Sequence, residues 1–275
     1  MTGVGTTRSL AFSPGLVSVT FRALDIERIA MLARMARLAS ITWAGEAHVP
    51  PGDDASALEA KRLTGGAGLE VEAYGSYWRA GTASFGPVLW AAILLGASRI
   101  RVWAGQTGSR ETSGAERRAV AHRIASAADR AAAEGISIHL EFHRNTLTDT
   151  AESAHGLLEE IDALRTVAQP RVMTYWQPRP GISADSARAE VAMLADRISA
   201  FHVFSWEADG TSLPLAQHRE QWIGWLEQFR ELAETAGNGG RHELQLEFVR
   251  NASVEAFQED ADELHTWVAE LGAVE

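Results

Sequence analysis

Glutamate and histidine crowd one short stretch, Ile136-Ser-Ile-His-Leu-Glu-Phe-His143, in a pattern that apolar packing alone does not ask for. Ile136, Ile138, Leu140 and Phe142 fall on one parity, and Ser137, His139, Glu141 and His143 on the other. Alternate residues of a strand face opposite sides, so three ionisable groups share one face within about 14 Å at ~3.4 Å per residue. Strands flanked by helices are usually apolar on both faces, and a polar face on one of them is a candidate site. Comparable residues recur where other strands are expected to end. Glu46 and His48 follow Ser40–Trp43, and Trp103 ends Arg99–Trp103. Gln177 ends Arg171–Gln177, His202 and Trp206 fall on or after Ile198–Phe204, and Glu247 and Arg250 close Glu243–Val249 and its loop.

If those strand ends meet, two carboxylates (Glu141, Glu247), one imidazole (His202) and one amide oxygen (Gln177) converge. An oxygen-rich set with a single nitrogen suits Mn²⁺ or Mg²⁺, with Zn²⁺ or Co²⁺ also compatible. The two carboxylates balance the charge of the ion, which removes much of the penalty of burying them. The same pair suggests a reaction. A carbonyl and its neighbouring hydroxyl held on a metal have an acidified C–H between them, and a carboxylate on each side can remove and return that proton. Moving the proton between carbons is aldose–ketose isomerisation; returning it to the opposite face is epimerisation.

The elements that must position these residues alternate along the chain. Short β-branched runs are followed by segments with apolar residues at helical spacing, as in Asp25–Ala39, Asp54–Ala67, Gly114–Glu134 and Ser253–Leu271. Such alternation implies a parallel sheet. Roughly eight strand–helix units in a chain of this length fit a closed (β/α)8 barrel over residues 1–275, with residues 1–14 expected as a flexible N-terminus. A doubly wound open sheet would carry a glycine-rich phosphate loop after its first strand, but Arg22-Ala-Leu-Asp-Ile follows Phe21. In a barrel, active sites sit at the C-terminal ends of the strands, where the residues named above fall.

Composition narrows the classes. A formal net charge of −11 argues against a nucleic-acid partner, whose phosphates demand a basic face. The absence of cysteine excludes disulfides and thiolate metal ligands. There is no apolar run of about 18 residues and no apolar signal-peptide core near Met1, so no membrane association is expected and a cytoplasmic location is the default.

Leu140-Glu-Phe-His143, Leu147-Thr-Asp-Thr150, Tyr175-Trp-Gln-Pro178, His202-Val-Phe-Ser-Trp206 and Leu246-Glu-Phe248, in this order, resemble the xylose isomerase-like TIM barrels. More narrowly they resemble the sugar phosphate isomerase/epimerase branch that includes tagatose 3-epimerase-type enzymes. The resemblance implies a metal held by Glu, Asp, His and Glu from successive strands, with the two glutamates as the proton-transfer pair. By position these are Glu141, Gln177, His202 and Glu247. Gln177 departs from the family aspartate and supplies a neutral oxygen; the histidine three residues further on falls on Pro180. His48, Trp103, His143, Trp206 and Arg250 are the expected substrate contacts, and His139, a layer deeper, is expected to be structural. The expected ligand is a small carbohydrate, and because family members often form dimers or tetramers the resemblance also implies a homo-oligomer. Two alternatives remain: a lyase of the inosose dehydratase type, in which the same proton abstraction is followed by loss of a β-hydroxyl, or a catalytically retired sugar-binding barrel. The DNA-repair endonuclease branch is disfavoured, because it needs additional His and Asp ligands and a less acidic chain.

Overall fold

The computed structural model describes residues 10–272. Its strands are β1 (Ala11–Val17), β2 (Ser40–Ala44), β3 (Glu70–Gly75), β4 (Arg99–Val102), β5 (Ser137–Leu140), β6 (Met173–Trp176), β7 (Ile198–Val203) and β8 (Arg241–Leu246). All pair in parallel in chain order, and β8 closes on β1 from Ala11↔Arg241 to Leu16↔Leu246. The returning helices are α1 (Ile26–Met35), α2 (Asp54–Gly66), α3 (Gly86–Leu95), α4 (Gly114–Ala132), α5 (Ala151–Leu164), α6 (Ala184–Met193), α7 (Arg219–Thr235) and α8 (Val254–Gly272). The result is a single (β/α)8 barrel, as the alternation of the sequence predicts.

Helix starts are written locally. Asp25, Asp53, Ser113, Thr150 and Ser183 each accept a hydrogen bond from the backbone N–H three residues on, opening α1, α2, α4, α5 and α6. The α5 cap is Thr150. Thr148 and Asp149 just before it are used elsewhere: the Thr148 hydroxyl donates to the Glu141 carbonyl, and Asp149 accepts from the Ser109 N–H at 2.8 Å.

The first strand differs from expectation. Leu16–Arg22 reads as a strand by residue type, yet β1 runs over Ala11–Val17 and Ser18–Phe21 forms a 3₁₀ turn. Ser18 Oγ accepts from the Ala44 N–H at 2.8 Å and bonds His48 Nδ1 at 2.9 Å, so tertiary contacts override β-propensity there. The expected flexible N-terminus is corrected for residues 11–14, which lie in β1; residues 1–9 fall outside the described part.

Gly15 lies in β1 where an added Cβ would come within 2.2 Å of Gln245 Nε2 and 2.6 Å of Ser40 Oγ. Gln245 is fully buried and donates to Ser40 Oγ at 2.9 Å, so it cannot yield without losing that bond. Gly15→Ala is therefore expected to destabilise the fold by about 1–3 kcal/mol, read from the urea midpoint.

Between barrel and helices the core is apolar, with Trp43, Trp176, Trp222 and Trp267 among its largest fully buried side chains. The barrel interior is polar. Glu72 accepts from Tyr175 Oη at 2.8 Å, Thr42 Oγ1 at 2.6 Å and Arg99 Nη1 at 2.8 Å. His139 bonds Ser137 and Ser199 at 2.8 and 2.6 Å, and burial pushes its imidazole well below the usual value. It is held neutral in this lower layer. Tyr175 then packs edge-on against His202 with 5.1 Å between ring centroids, joining this layer to the mouth above.

Candidate active site

Glu141, Gln177 and Glu247 each sit one residue past the end of β5, β6 and β8, and His202 lies near the end of β7. Continuing ladder bonds fix them: the Glu141 N–H donates to Val102 O at 2.9 Å and the Glu247 N–H to Val203 O at 3.1 Å. The interior-facing parity of each strand then aims their side chains at one point.

His202 Nδ1 is the hub. It lies 3.3 Å from Glu141 Oε1, 3.4 Å from Glu247 Oε2 and 3.2 Å from Gln177 Oε1. The Gln177 amide is oriented by donating to Phe142 O at 2.8 Å and to Glu141 Oε1 at 3.2 Å. Arg101, on β4, brings Nη1 to 2.7 Å from Glu141 Oε2. That oxygen has no aligned hydrogen bond, so the contact is Coulombic; His202 Nε2 and Arg101 Nε are likewise buried without partners.

The two carboxylates have opposite environments. Burial alone would raise Glu141, but the Arg101 guanidinium and His202 outweigh it and bring it down to about 2. Glu247 is raised above the ordinary carboxylate value, by burial first and by the charge of Glu141, against the pull of His202. Burial would lower His202, yet Glu247 and Glu141 together hold it above its ordinary value. Environments that push two titratable groups apart separate their acid/base roles.

A cavity of about 450 Å³ opens over this floor, within the range of small-molecule sites. Glu141, Gln177 and Glu247 line it together with the expected contacts Trp103, His143 and Trp206. Trp103 stacks on Tyr77 at 5.9 Å and Trp206 on Phe204 at 4.3 Å. Two expected contacts lie elsewhere. His48 is buried with Nδ1 on Ser18 Oγ at 2.9 Å and Nε2 on Phe21 O at 3.3 Å, so both ring nitrogens are engaged. Arg250 is turned away from the cavity and bonds Glu259 of α8.

Sequence reasoning did not single out Arg22, Tyr77, Arg144, Arg179, Phe204 or Phe248, which also line the cavity. Phe248 follows Glu247 directly and is held at φ +57°, a left-handed conformation that a bulky residue rarely adopts and that tertiary contacts must impose. No residue-type signal marks such a position.

The donor set can be tested against a divalent ion. Two ligands at ~2.1 Å from a metal lie about 3.0 Å apart at a right angle and about 3.4 Å apart at the tetrahedral angle. The contacts of His202 Nδ1 with the three oxygens, at 3.2–3.4 Å, fall in that range. Among the described residues no three His, Asp or Glu side chains are spaced to hold a metal unaided. An ion here would need the amide oxygen of Gln177 beside Glu141, His202 and Glu247, a donor set whose chemistry, oxygen-rich with one nitrogen, suits a divalent cation.

A closed parallel barrel with a buried acid–imidazole floor at its C-terminal mouth has the architecture of a TIM-barrel enzyme. The family model for the xylose isomerase-like TIM barrel matches residues 39–240, and the chain belongs to that family. A 3-dehydroshikimate dehydratase of Bacillus anthracis is 42% identical over 65 residues, a match covering 24% of this chain and 23% of that protein. The structure of the probable 3-DHS dehydratase AsbF from Bacillus anthracis superposes with a TM-score of 0.73 at 20% identity, over 92% of this chain and 98% of the other. A D-allulose 3-epimerase from Methylomonas sp. gives 0.68 at 14% identity, over 95% and 99%. A xylose isomerase-like TIM barrel protein from Mycobacterium smegmatis in complex with magnesium gives 0.63 at 16%, over 99% and 100%. At these identities the structural likenesses establish the fold. Among the described residues no helix is long and apolar enough to cross a membrane.

Proposed function

We propose that this chain catalyses proton transfer next to the carbonyl of a small polyhydroxylated, carbohydrate-like substrate, as a metal-dependent isomerase or epimerase. The observation that carries this reading is the convergence of two buried carboxylates, Glu141 and Glu247, on one imidazole at the floor of a closed-barrel cavity. Glu141, Gln177, His202 and Glu247 would hold the ion, with Mn²⁺ or Mg²⁺ best matched to the oxygen donors. A divalent ion bound there would draw electron density from a carbonyl and an adjacent hydroxyl and so acidify the C–H between them.

The remaining work falls to the protein. Glu247, raised but unpaired with an arginine in the described structure, takes and returns the proton at its carboxylate. Glu141, fixed as an anion by Arg101, orients His202 and faces the developing charge balance from the other side. Trp103 and Trp206 provide apolar surface for a sugar face and exclude water.

A second reading, the lyase, has its own support. A two-base epimerisation works best with two carboxylates in similar surroundings, whereas Arg101 pairs with Glu141 alone and leaves Glu247 without an arginine partner among the described residues. One strong base on one face suits abstraction followed by loss of a β-hydroxyl, and the sequence and structure comparisons both point to a Bacillus anthracis protein described as a 3-dehydroshikimate dehydratase. The test is incubation with ketoses, inososes and 3-dehydroshikimate in D₂O in the presence of Mn²⁺ or Mg²⁺. Deuterium appearing next to the carbonyl supports proton transfer, and a new conjugated-enone or aromatic absorbance assigns the lyase. Thermal stabilisation by these compounds with no exchange and no new absorbance overturns the catalytic reading in favour of a binding barrel.

A further inference from the structure

Beside the main cavity lies a second one of about 400 Å³ whose walls are polar and basic. Three arginines line it: Arg79, Arg110 and Arg144. Arg144 also lines the main cavity, so one residue borders both. In a chain of net charge −11 such a concentration of positive charge needs a reason. Most arginines near the barrel mouth have one: Arg101 is paired with Glu141, Arg179 with Glu190 and Arg250 with Glu259. Arg79, Arg110 and Arg144 are absent from the ion pairs of the described residues, and the guanidinium carbon of Arg79 lies 4.2 Å from the centroid of the Trp103 ring.

Two carboxylates, Glu111 and Asp149, share the cavity wall. Asp149 is committed to holding the loop: its Oδ2 accepts from the Ser109 N–H at 2.8 Å, and a Cβ at Gly108 would meet that oxygen at 2.8 Å. The β4–α4 loop that carries Arg110 is thereby clamped against the β5–α5 loop that carries Arg144. Arg110 and Arg144 are thus presented from fixed backbones, which reduces the ordering cost of using them. Three guanidiniums against two carboxylates leave a positive surplus, with Gln106, Thr107 and Asn145 supplying neutral hydrogen-bonding groups.

We infer that this second cavity is an anion subsite for the substrate, taking a carboxylate or phosphate group while the rest of the molecule lies over Glu141 and Glu247. Planar guanidiniums suit both anions, since each can form paired charge-assisted hydrogen bonds with them. The inference rests on the main cavity being the substrate site, and it names the class of compound that site prefers: a polyhydroxylated acid or a phosphate ester in place of a neutral sugar.

The test is calorimetric and needs no turnover. Inorganic phosphate, quinate and myo-inositol are titrated into the metal-loaded protein, into Arg144→Ala, Arg144→Lys and Arg110→Ala, and into Glu247→Gln. Expected is binding of phosphate or quinate to the wild type at least tenfold tighter than that of inositol. Arg144→Ala should lose roughly tenfold in that affinity, with partial retention in Arg144→Lys. A preference for phosphate marks a phosphate ester as the substrate and a preference for quinate a carboxylate. Equal binding of the anions and inositol, or anion affinity unchanged in Arg144→Ala and Arg110→Ala, overturns the subsite. Retained anion binding in Glu247→Gln with no C–H exchange by the wild type on any anionic substrate would sink the reaction reading while leaving the subsite standing.

Discussion

Substituting glutamine for Glu247 is expected to lower kcat by a factor on the order of 10²–10⁴ while leaving the chain folded. Glutamine keeps the shape of the side chain and can still accept from His202 Nδ1, now 3.4 Å from Glu247 Oε2, but it cannot take a proton from carbon. The matching change at Glu141 is less clean, because it also removes the counter-charge of the buried Arg101. The wild-type pH profile carries the same assignment. A base works only when ionised, and Glu247 sits above the ordinary carboxylate value because it is buried beside Glu141. In the metal-free protein Glu247 should therefore take up its proton, as pH drops, at a midpoint above that of free glutamate, and the ion should be lost with it. Glu141, held down to about 2, contributes nothing to that step. Metal affinity measured from pH 4 to 8 checks both statements. A Glu247→Gln variant with wild-type deuterium exchange would remove Glu247 from the reaction.

The barrel and the four side chains of its floor were legible for a physical reason. Strand parity places Ser137, His139 and Glu141 on one face, and burying charge is costly enough that such a face needs a purpose. Gln177, His202 and Glu247 followed from the rule that barrel sites lie at strand ends. His48 and Arg250 passed the same filter and lie outside the cavity, because strand-end position fixes where a loop begins and says nothing about where its side chains turn. His48 is drawn under the loop by Ser18 and Phe21, and the backbone reversal at Phe248, Asn251 and Ala252, all at positive φ, carries Arg250 toward α8. The arginines around the two cavities were illegible for the converse reason. Arg110 and Arg144 sit in loops with no periodicity, and whether an arginine has a carboxylate partner is a long-range fact.

Arg101→Met is expected to cost about 3–5 kcal/mol of folding stability, although it keeps most of the apolar stem. Arg101 is only 3% exposed and its guanidinium lies 2.7 Å from an equally buried Glu141. Removing it leaves the carboxylate in a dry environment with His202 as its remaining close partner. The pH dependence fixes the interpretation. In the wild type Glu141 has its folded pKa depressed to about 2, so it contributes stability that is present above its unfolded value and lost as pH falls through about 2. In the variant the largest lowering influence is gone and burial, which raises Glu141, prevails. The stability gap between the two proteins should therefore be full at pH 7 and narrow as pH falls below the unfolded carboxyl value of about 4.3. Urea unfolding at pH 7 and pH 3.5 measures this directly, and a gap independent of pH would mean that lost packing, and not the stranded charge, is the cause. The double variant Arg101→Met/Glu141→Gln separates the two further. Replacing both members of a buried pair is far less costly than removing one, so the double variant should recover much of the stability lost by the single one, even though it cannot recover activity.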